Sequence, residues 1–232
     1  MNKIVFLVAL CFFVAATSSF ADEEPAVVYW DSAAGKALRA RIPADADYWQ
    51  LSTTFAVQNT QTYCSIASAI TVLNAMPVRK PVDPAYAPYA YFTQSNYFTP
   101  EVIKIISPQI VLSMGMTREQ MAETLALHGV KVKTIAGDTL NDEGLRTLLQ
   151  KALGDDGQFV LVNYLRANLG QVGGGHWSVL AAFDAQSDSV LILDVAKYKY
   201  APVWVGISTL RQAIATTDTA SNKARGLVIV SM

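Results

Sequence analysis

The hydrophobic pattern of the chain changes its period once. From Tyr63 the apolar residues recur at helical spacing, as in Ile66, Ala69, Ile70 and Leu73, and after a break at residues 76–92 helices dominate to about residue 153. From residue 158 onward the chain reads as strands: "QFVLVNYL", "HWSVLAAFD", "SVLILDVA" and the terminal "GLVIVSM". One strand, "VKVKTIA", interrupts the helical half, and one helix, "STLRQAIA", interrupts the strands. Runs of one type followed by runs of the other predict an α+β fold with a mainly antiparallel sheet. A helical lobe packed against a sheet lobe would leave a cleft between them.

Local signals sharpen the helical half. Thr99 caps "TPEVIKIIS", with Pro100 in the first turn. Thr117 and Gln120 form a capping box for "TREQMAETLALHG", and Gly129 ends that helix. "TLNDEGLRTLLQKALG" reads as a third capped helix. "MPVRKPVDPAYAPYAYF" carries four prolines and no period, and is expected to be a long ordered loop. Residues 22–60 read as loop-rich with scattered aromatics.

The first 21 residues stand apart. A short basic start, "MNK", precedes an apolar run of 13, "IVFLVALCFFVAA". The run is too short to span a bilayer with ease. "TSSFA" and the acidic "DEEP" follow, so residues 1–21 are expected to be a secretory signal peptide cut after Ala21, with 22–232 as one catalytic domain. Leu10 stands before Cys11 where a lipobox wants a small residue, which disfavours a lipid anchor. The predicted location is periplasmic or secreted, with no stable membrane span after processing.

Cleavage would remove Lys3 and Cys11, changing the net charge from −1 to −2 and leaving one cysteine, Cys64. So weak a charge argues against nucleic acid as partner. A lone thiol in a secreted chain reads either as a small buried residue or as a reactive group, and its neighbours decide. Cys64 opens its predicted helix, where unpaired amides and the helix dipole favour a thiolate. Of the two histidines, His128 ends a helix before Gly129 and reads as a terminal residue. His176 follows three glycines and opens a strand. If that strand and the next form a hairpin centred near Ala185 or Gln186, His176 lies directly or diagonally across from Asp194. A carboxylate would then orient an imidazole. Gln58, six residues before Cys64, supplies an amide able to donate to an oxyanion.

Gln58, Cys64, His176 and Asp194 in this order are similar to the papain-like cysteine proteases, and more closely resemble phytochelatin synthase, a branch of that superfamily. The resemblance rests on "QNTQTYCSIASAITVLNAM", "GMTREQMAETLALHGVKVKT", "VLVNYLRANLGQVGGGHWSVLAAFD", "ILDVAKYKYAPVWV" and "KARGLVIV". It implies a papain-like fold and a γ-glutamylcysteine transpeptidase. Such an enzyme attacks the Cys–Gly bond of glutathione, releases glycine, and passes a γ-glutamylcysteinyl thioester to water or to a second glutathione. Carried onto this chain, Cys64 is the nucleophile and His176 the base and later acid. Asp194 orients His176, and Gln58 helps form the oxyanion hole. Asn163, Arg166 and Arg225 become candidates to hold the γ-glutamyl end, with Gly175 and Ser65 completing the substrate-binding set. For each arginine an ordinary ion pair is the competing reading.

Two departures from the family pattern matter. Ser65 stands where the family usually has glycine, although its amide could still serve the oxyanion. No cysteine follows residue 64, whereas the plant enzymes carry a cysteine-rich C-terminal region. The resemblance therefore implies glycine release as the main reaction and weak phytochelatin synthesis. It implies no tightly bound cofactor and no metal site, any metal entering as a glutathione thiolate. A homodimer is left open. "AYAPYAYF" and "KYKYAPVW" read as core packing or cleft lining. The alternative function is a papain-like peptidase or amidase acting on other small peptides or thiol amides.

Overall fold

In the computed structural model, which describes residues 27–154 and 157–232, seven strands form one antiparallel sheet. They are β1 (Val27–Tyr29), β2 (Lys131–Ala136), β3 (Gln158–Leu165), β4 (Gly175–Asp184), β5 (Ser189–Leu193), β6 (Val203–Gly206) and β9 (Gly226–Ser231). Their spatial order is β1-β6-β5-β4-β3-β9-β2. A small ribbon, β7 (Thr217–Asp218) with β8 (Lys223–Ala224), precedes the last strand. The helices are α1 (Ala33–Arg39), α2 (Tyr48–Thr54), α3 (Cys64–Ala75), α4 (Pro100–Ile105), α5 (Pro108–Met114), α6 (Arg118–Ala126), α7 (Asp142–Ala152) and α8 (Ile207–Ile214). The α+β expectation, helices against a mainly antiparallel sheet, is met.

Both faces of the sheet are covered, and this explains the sequence pattern of its strands. Along β3, Phe159 and Leu161 pack on the face that receives α2, α3 and α6. Val160, Val162 and Tyr164 pack on the opposite face with Leu145 and Leu149 of α7 and Leu210 and Ala213 of α8. A strand buried on both sides reads as a continuous apolar run, not an alternation. Full burial of a residue such as Leu161 stabilises the fold by about 2 kcal/mol. The outer strand β2 keeps Lys131 and Lys133 exposed, and charged side chains there discourage edge-to-edge pairing.

Helix α3 is buried at 11 of its 12 residues. A helix apolar all round must sit inside the core, and α3 packs across β4. Its first residue is therefore delivered to the end of the sheet where β4 begins.

The capping signals hold: Thr99 and Thr117 accept hydrogen bonds from the amides of Val102 and Gln120. Asn141 does the same for α7. Strands β1 and β6, the β7–β8 ribbon and helices α1, α2 and α5 are elements that sequence periodicity missed. The strands have only two to four residues. Each of the three helices has seven residues, too few for a period to stand out. The proline-rich loop is pinned by Asn74, which exchanges two hydrogen bonds of 2.9 Å with the backbone of Phe92. Strand β5 ends at Leu193, short of the expected "SVLILDVA". Val195 instead accepts a hydrogen bond from the amide of Gln58 at 3.0 Å, which ties the segment before α3 to the end of the hairpin. Among the described residues no helix is long and apolar enough to cross a membrane. The expected signal peptide lies outside the described residues.

Candidate active site

Cys64 begins α3 and is buried. The preceding residue, Tyr63, makes no side-chain cap, so the first amides of the helix are not claimed by a local oxygen. Burial alone would raise the thiol pKa. The charge of His176, a hydrogen bond to its ring, and backbone hydrogen bonds from Trp177 and Ser65 outweigh burial and pull it below the ordinary thiol value.

His176 is the second residue of β4 and is 4% exposed. Its Nε2 lies 2.8 Å from Oδ1 of Asp194, which leaves Nδ1 for the thiol. The β4–β5 register pairs Val179 with Leu193, before a bulge near Ala181. Continued toward the site, that register sets Asp194 diagonal to His176, one of the two geometries the sequence allowed. Burial would lower the histidine pKa. The facing Cys64 and Asp194 outweigh it and raise the pKa, so the pair favours thiolate and imidazolium.

Asp194 is fully buried, and a buried carboxylate needs several partners to stay charged. It has them. The amide of Ala196 donates to Oδ1 at 2.8 Å, and Nη2 of Arg166 donates to the same oxygen at 3.0 Å. Nη1 of Arg166 makes an ion-pair contact of 2.8 Å with Oδ2, without hydrogen-bond alignment. Burial opposes the negative charge, but His176 and Arg166 together hold the carboxyl far below its usual range. Arg166 also donates to Oε1 of Gln171 at 2.5 Å. Its guanidinium is thus committed to Asp194 and Gln171. Arg166 therefore makes the ion pair that competed with its reading as a substrate ligand, while it still borders the cavity beside Gln58.

Gln58 is 3% exposed. Its Nε2 donates to the carbonyl of Thr60 and to the hydroxyl of Tyr198, each at 2.8 Å. Together with Gln61, Arg166, His176, Tyr198 and Lys199 it borders a cavity of about 260 Å³. A larger cavity of about 630 Å³ lies between β2, β9 and α7, away from Cys64. The chemistry belongs to the smaller one, because it is bordered by Gln58 and by His176, the hydrogen-bond partner of Cys64.

Two of the three glycines before His176 admit cations. A side chain at Gly173 (φ +134°) would meet Cδ of Arg166 at 2.9 Å and Nζ of Lys199 at 3.3 Å. One at Gly175 would meet the guanidinium of Arg225 at 2.1–2.7 Å. Bare backbone therefore lets the basic side chains close in on the loop. Arg225 is buried, donates to Oδ1 of Asn163 at 2.8 Å, and lies 3.6 Å from Asp218. Burial lowers its pKa, and its Nε has no partner among the described residues. Asn163, Gly175 and Arg225 thus form one group. Ser65 is fully buried, its hydroxyl without a partner among the described residues. His128 packs against Tyr97 and Phe92, away from Cys64, and burial lowers its pKa to about 4. Lys199, Tyr198 and Gln171 were missed as individual site residues. The first two lie in "KYKYAPVW", which offered cleft lining only as one of two readings.

Among the described residues there is no group of three or more His, Cys, Asp or Glu side chains able to hold a metal ion. What the arrangement offers is nucleophilic acyl chemistry: a thiol with a lowered pKa, an imidazole with a raised one, an orienting carboxylate and an amide donor.

The phytochelatin synthase family model matches residues 23–227. The chain belongs to the phytochelatin synthase family. Among curated relatives, it is 29% identical over 210 residues to glutathione gamma-glutamylcysteinyltransferase 1 of Triticum aestivum, covering 89% of this chain and 41% of that protein. It is 29% identical over 187 residues to glutathione gamma-glutamylcysteinyltransferase 3 of Lotus japonicus, covering 79% and 37% respectively. This phytochelatin synthase family member therefore spans about two-fifths of the length of those relatives. Among solved structures, the peptidase domain of Streptococcus ComA, a bi-functional ABC transporter, aligns with a TM-score of 0.42 at 13% identity, covering 76% of this chain and 96% of that one.

Proposed function

We propose that this protein is a glutathione γ-glutamylcysteinyltransferase and hydrolase acting on the Cys–Gly bond of glutathione. The observation that carries the reading is the buried Cys64–His176–Asp194 relay opening on a small polar cavity beside Gln58. Membership of a family whose curated relatives bear that activity in their names supports the choice of substrate.

The Cys64 thiolate adds to the carbonyl carbon of the Cys–Gly amide. The carbonyl oxygen takes the negative charge and accepts from Gln58, whose Nε2 exchanges its Tyr198 contact for the substrate. His176, already protonated, gives its Nδ1 proton to the amide nitrogen. The C–N bond breaks, glycine leaves, and γ-glutamylcysteine remains as a thioester on Cys64. His176, now neutral, takes a proton from water or from the amine of a second glutathione as it attacks. Water yields γ-glutamylcysteine and is the main path; the amine yields a phytochelatin. Asp194, held by Arg166 and Ala196, keeps the imidazole oriented through both steps. Arg225 and Asn163 receive the charged end of the γ-glutamyl group, the guanidinium binding its carboxylate.

The reading uses no resident cofactor. A metal ion enters, where it does, as part of the substrate, on the thiolate of glutathione. All the named residues come from one chain, so the chemistry needs no second copy, whether or not the protein pairs as a homodimer. The leader read in residues 1–21 assigns the work to the periplasm or the cell exterior.

The test is glycine release from glutathione by residues 22–232, compared with Cys64→Ser and followed by mass spectrometry with and without cadmium. Glycine together with γ-glutamylcysteine or its polymers, lost in the variant, is the expected result. A folded, reduced protein that releases no glycine would remove glutathione as substrate.

A further inference from the structure

Tyr164 is fully buried on β3 and is not used by the chemistry proposed above. It pairs with His176 in the β3–β4 ladder, which sets the two side chains on one face of the sheet. Their rings meet edge to face, with centres 5.6 Å apart and planes at 83°. The guanidinium carbon of Arg166 lies 5.9 Å from the centre of the same tyrosine ring. His176 and Arg166 are the two side chains that hold Asp194. Tyr164 thus packs on both partners of the carboxylate. Its hydroxyl has no such part: it faces Ser178, equally buried, without hydrogen-bond alignment.

An imidazole in this position needs support. The torsion that turns it about its Cβ–Cγ bond is soft, with a broad two-fold profile. Asp194 holds Nε2, but Nδ1 must face Cys64 at the same time. A tilt of the ring that keeps the first contact can lose the second. Tyr164 belongs to the apolar core on its face of the sheet, so its own ring is fixed. We propose that Tyr164 is a positioning residue for His176: its ring sets the plane of the imidazole so that Asp194 and Cys64 are engaged together. The inference deepens the catalytic reading above and rests on it. The charged and titratable groups around His176 are Cys64 at the start of α3, Asp194 after β5, Arg166 after β3 and Lys199 on the same cavity, with Arg225 near Cys64. These set the charge on the imidazole. Tyr164 stays neutral, because burial holds its pKa well above the ordinary phenol value, and sets the ring plane.

The experiment compares the wild type with Tyr164→Leu, Tyr164→Met and Tyr164→Phe by two readouts. One is the titration of the histidine rings by NMR, on isotope-labelled protein without substrate. The chain has two histidines, so His128, packed against Tyr97 and Phe92, is an internal control. The other is kcat and KM for glycine release. Tyr164→Leu should bring the raised pKa of His176 down toward about 6.5 and leave the His128 titration where it stands. It should lower kcat about 10- to 100-fold with KM within about threefold, the cost of a misplaced base. Tyr164→Met fills more of the ring's space and carries the same expectation if Tyr164→Leu fails to fold. Tyr164→Phe, which keeps the ring, should restore most of both losses. A folded Leu or Met variant with the His176 titration and kcat of the wild type would overturn the assignment. So would a Tyr164→Phe variant that falls as far as the other two, because the hydroxyl and not the ring would then be what His176 needs. The NMR readout uses no glutathione. A protein that releases no glycine, but whose His176 titration follows the Tyr164 ring, would overturn the glutathione reading and leave this placement standing.

Discussion

Asp184 and Asp194 lie at opposite ends of the β4–β5 hairpin, and each is held by an arginine. Asp184 accepts from Nε and Nη2 of Arg41 at 2.9 and 2.8 Å, and from the amide and hydroxyl of Ser187. Those contacts, that with Arg41 foremost, lower its pKa to about 2. Asp194 is likewise held well below the usual range. The two differ in what remains for the carboxylate to do. At the turn, Arg41 is 36% exposed, and the pair only fastens the N-terminal segment to the hairpin. At the open end, the second partner is an imidazole that faces a thiol and a cavity. A depressed carboxylate pKa thus marks an ion pair; a third group with somewhere to send a proton marks a site.

The largest expected effect is at the open end. Asp194→Asn should lower kcat/KM for glycine release by at least about 100-fold, since the imidazolium loses its counter-charge. Asp184→Asn should stay within about threefold, because the turn touches no reacting group. Equal losses would break the comparison. Next, Arg166→Met leaves Asp194 buried with one cation fewer and should cost about 3 kcal/mol in urea unfolding, along with much of the activity. A Met variant of full stability and normal activity would show that Asp194 does not depend on Arg166.

The pH profile of kcat/KM sharpens the same contrast. The acid limb belongs to Cys64 and should fall below the ordinary thiol value of about 8.5. The alkaline limb belongs to His176 and should lie above about 6.5. A single limb at the ordinary thiol value would deny the ion pair. The smallest effect is at the turn, where Arg41→Ala should lower stability only slightly, the exposure of Arg41 limiting its worth. The lowered pKa of Asp184 means that this stability is present above about pH 4 and is lost as the pH falls toward 2. Chemical unfolding midpoints from pH 6 to 2, for wild type and Arg41→Ala, would converge at the acid end.

Much of the catalytic end was legible in the sequence because its signals are local. Cys64 at a helix start, His176 after glycines and Asp194 at a strand end all follow from capping, turn chemistry and hairpin arithmetic. The diagonal placement of Asp194 needed only the approximate position of the turn. The commitment of Arg166 to Asp194 did not follow, since the two are 28 residues apart and meet only across the sheet.

The sequence by itself determined the order and type of the long elements and singled out Cys64, His176 and Asp194 as the candidate triad. Periodicity, caps and turn residues act within a few positions of one another, so a linear reading captures them. The tertiary structure decided that Arg166 meets Asp194, and that Arg225 meets Asn163 against the bare backbone of Gly175. Those are questions of distance and burial, and charges far apart in the chain acquire them only when the sheet and α3 bring their backbones together.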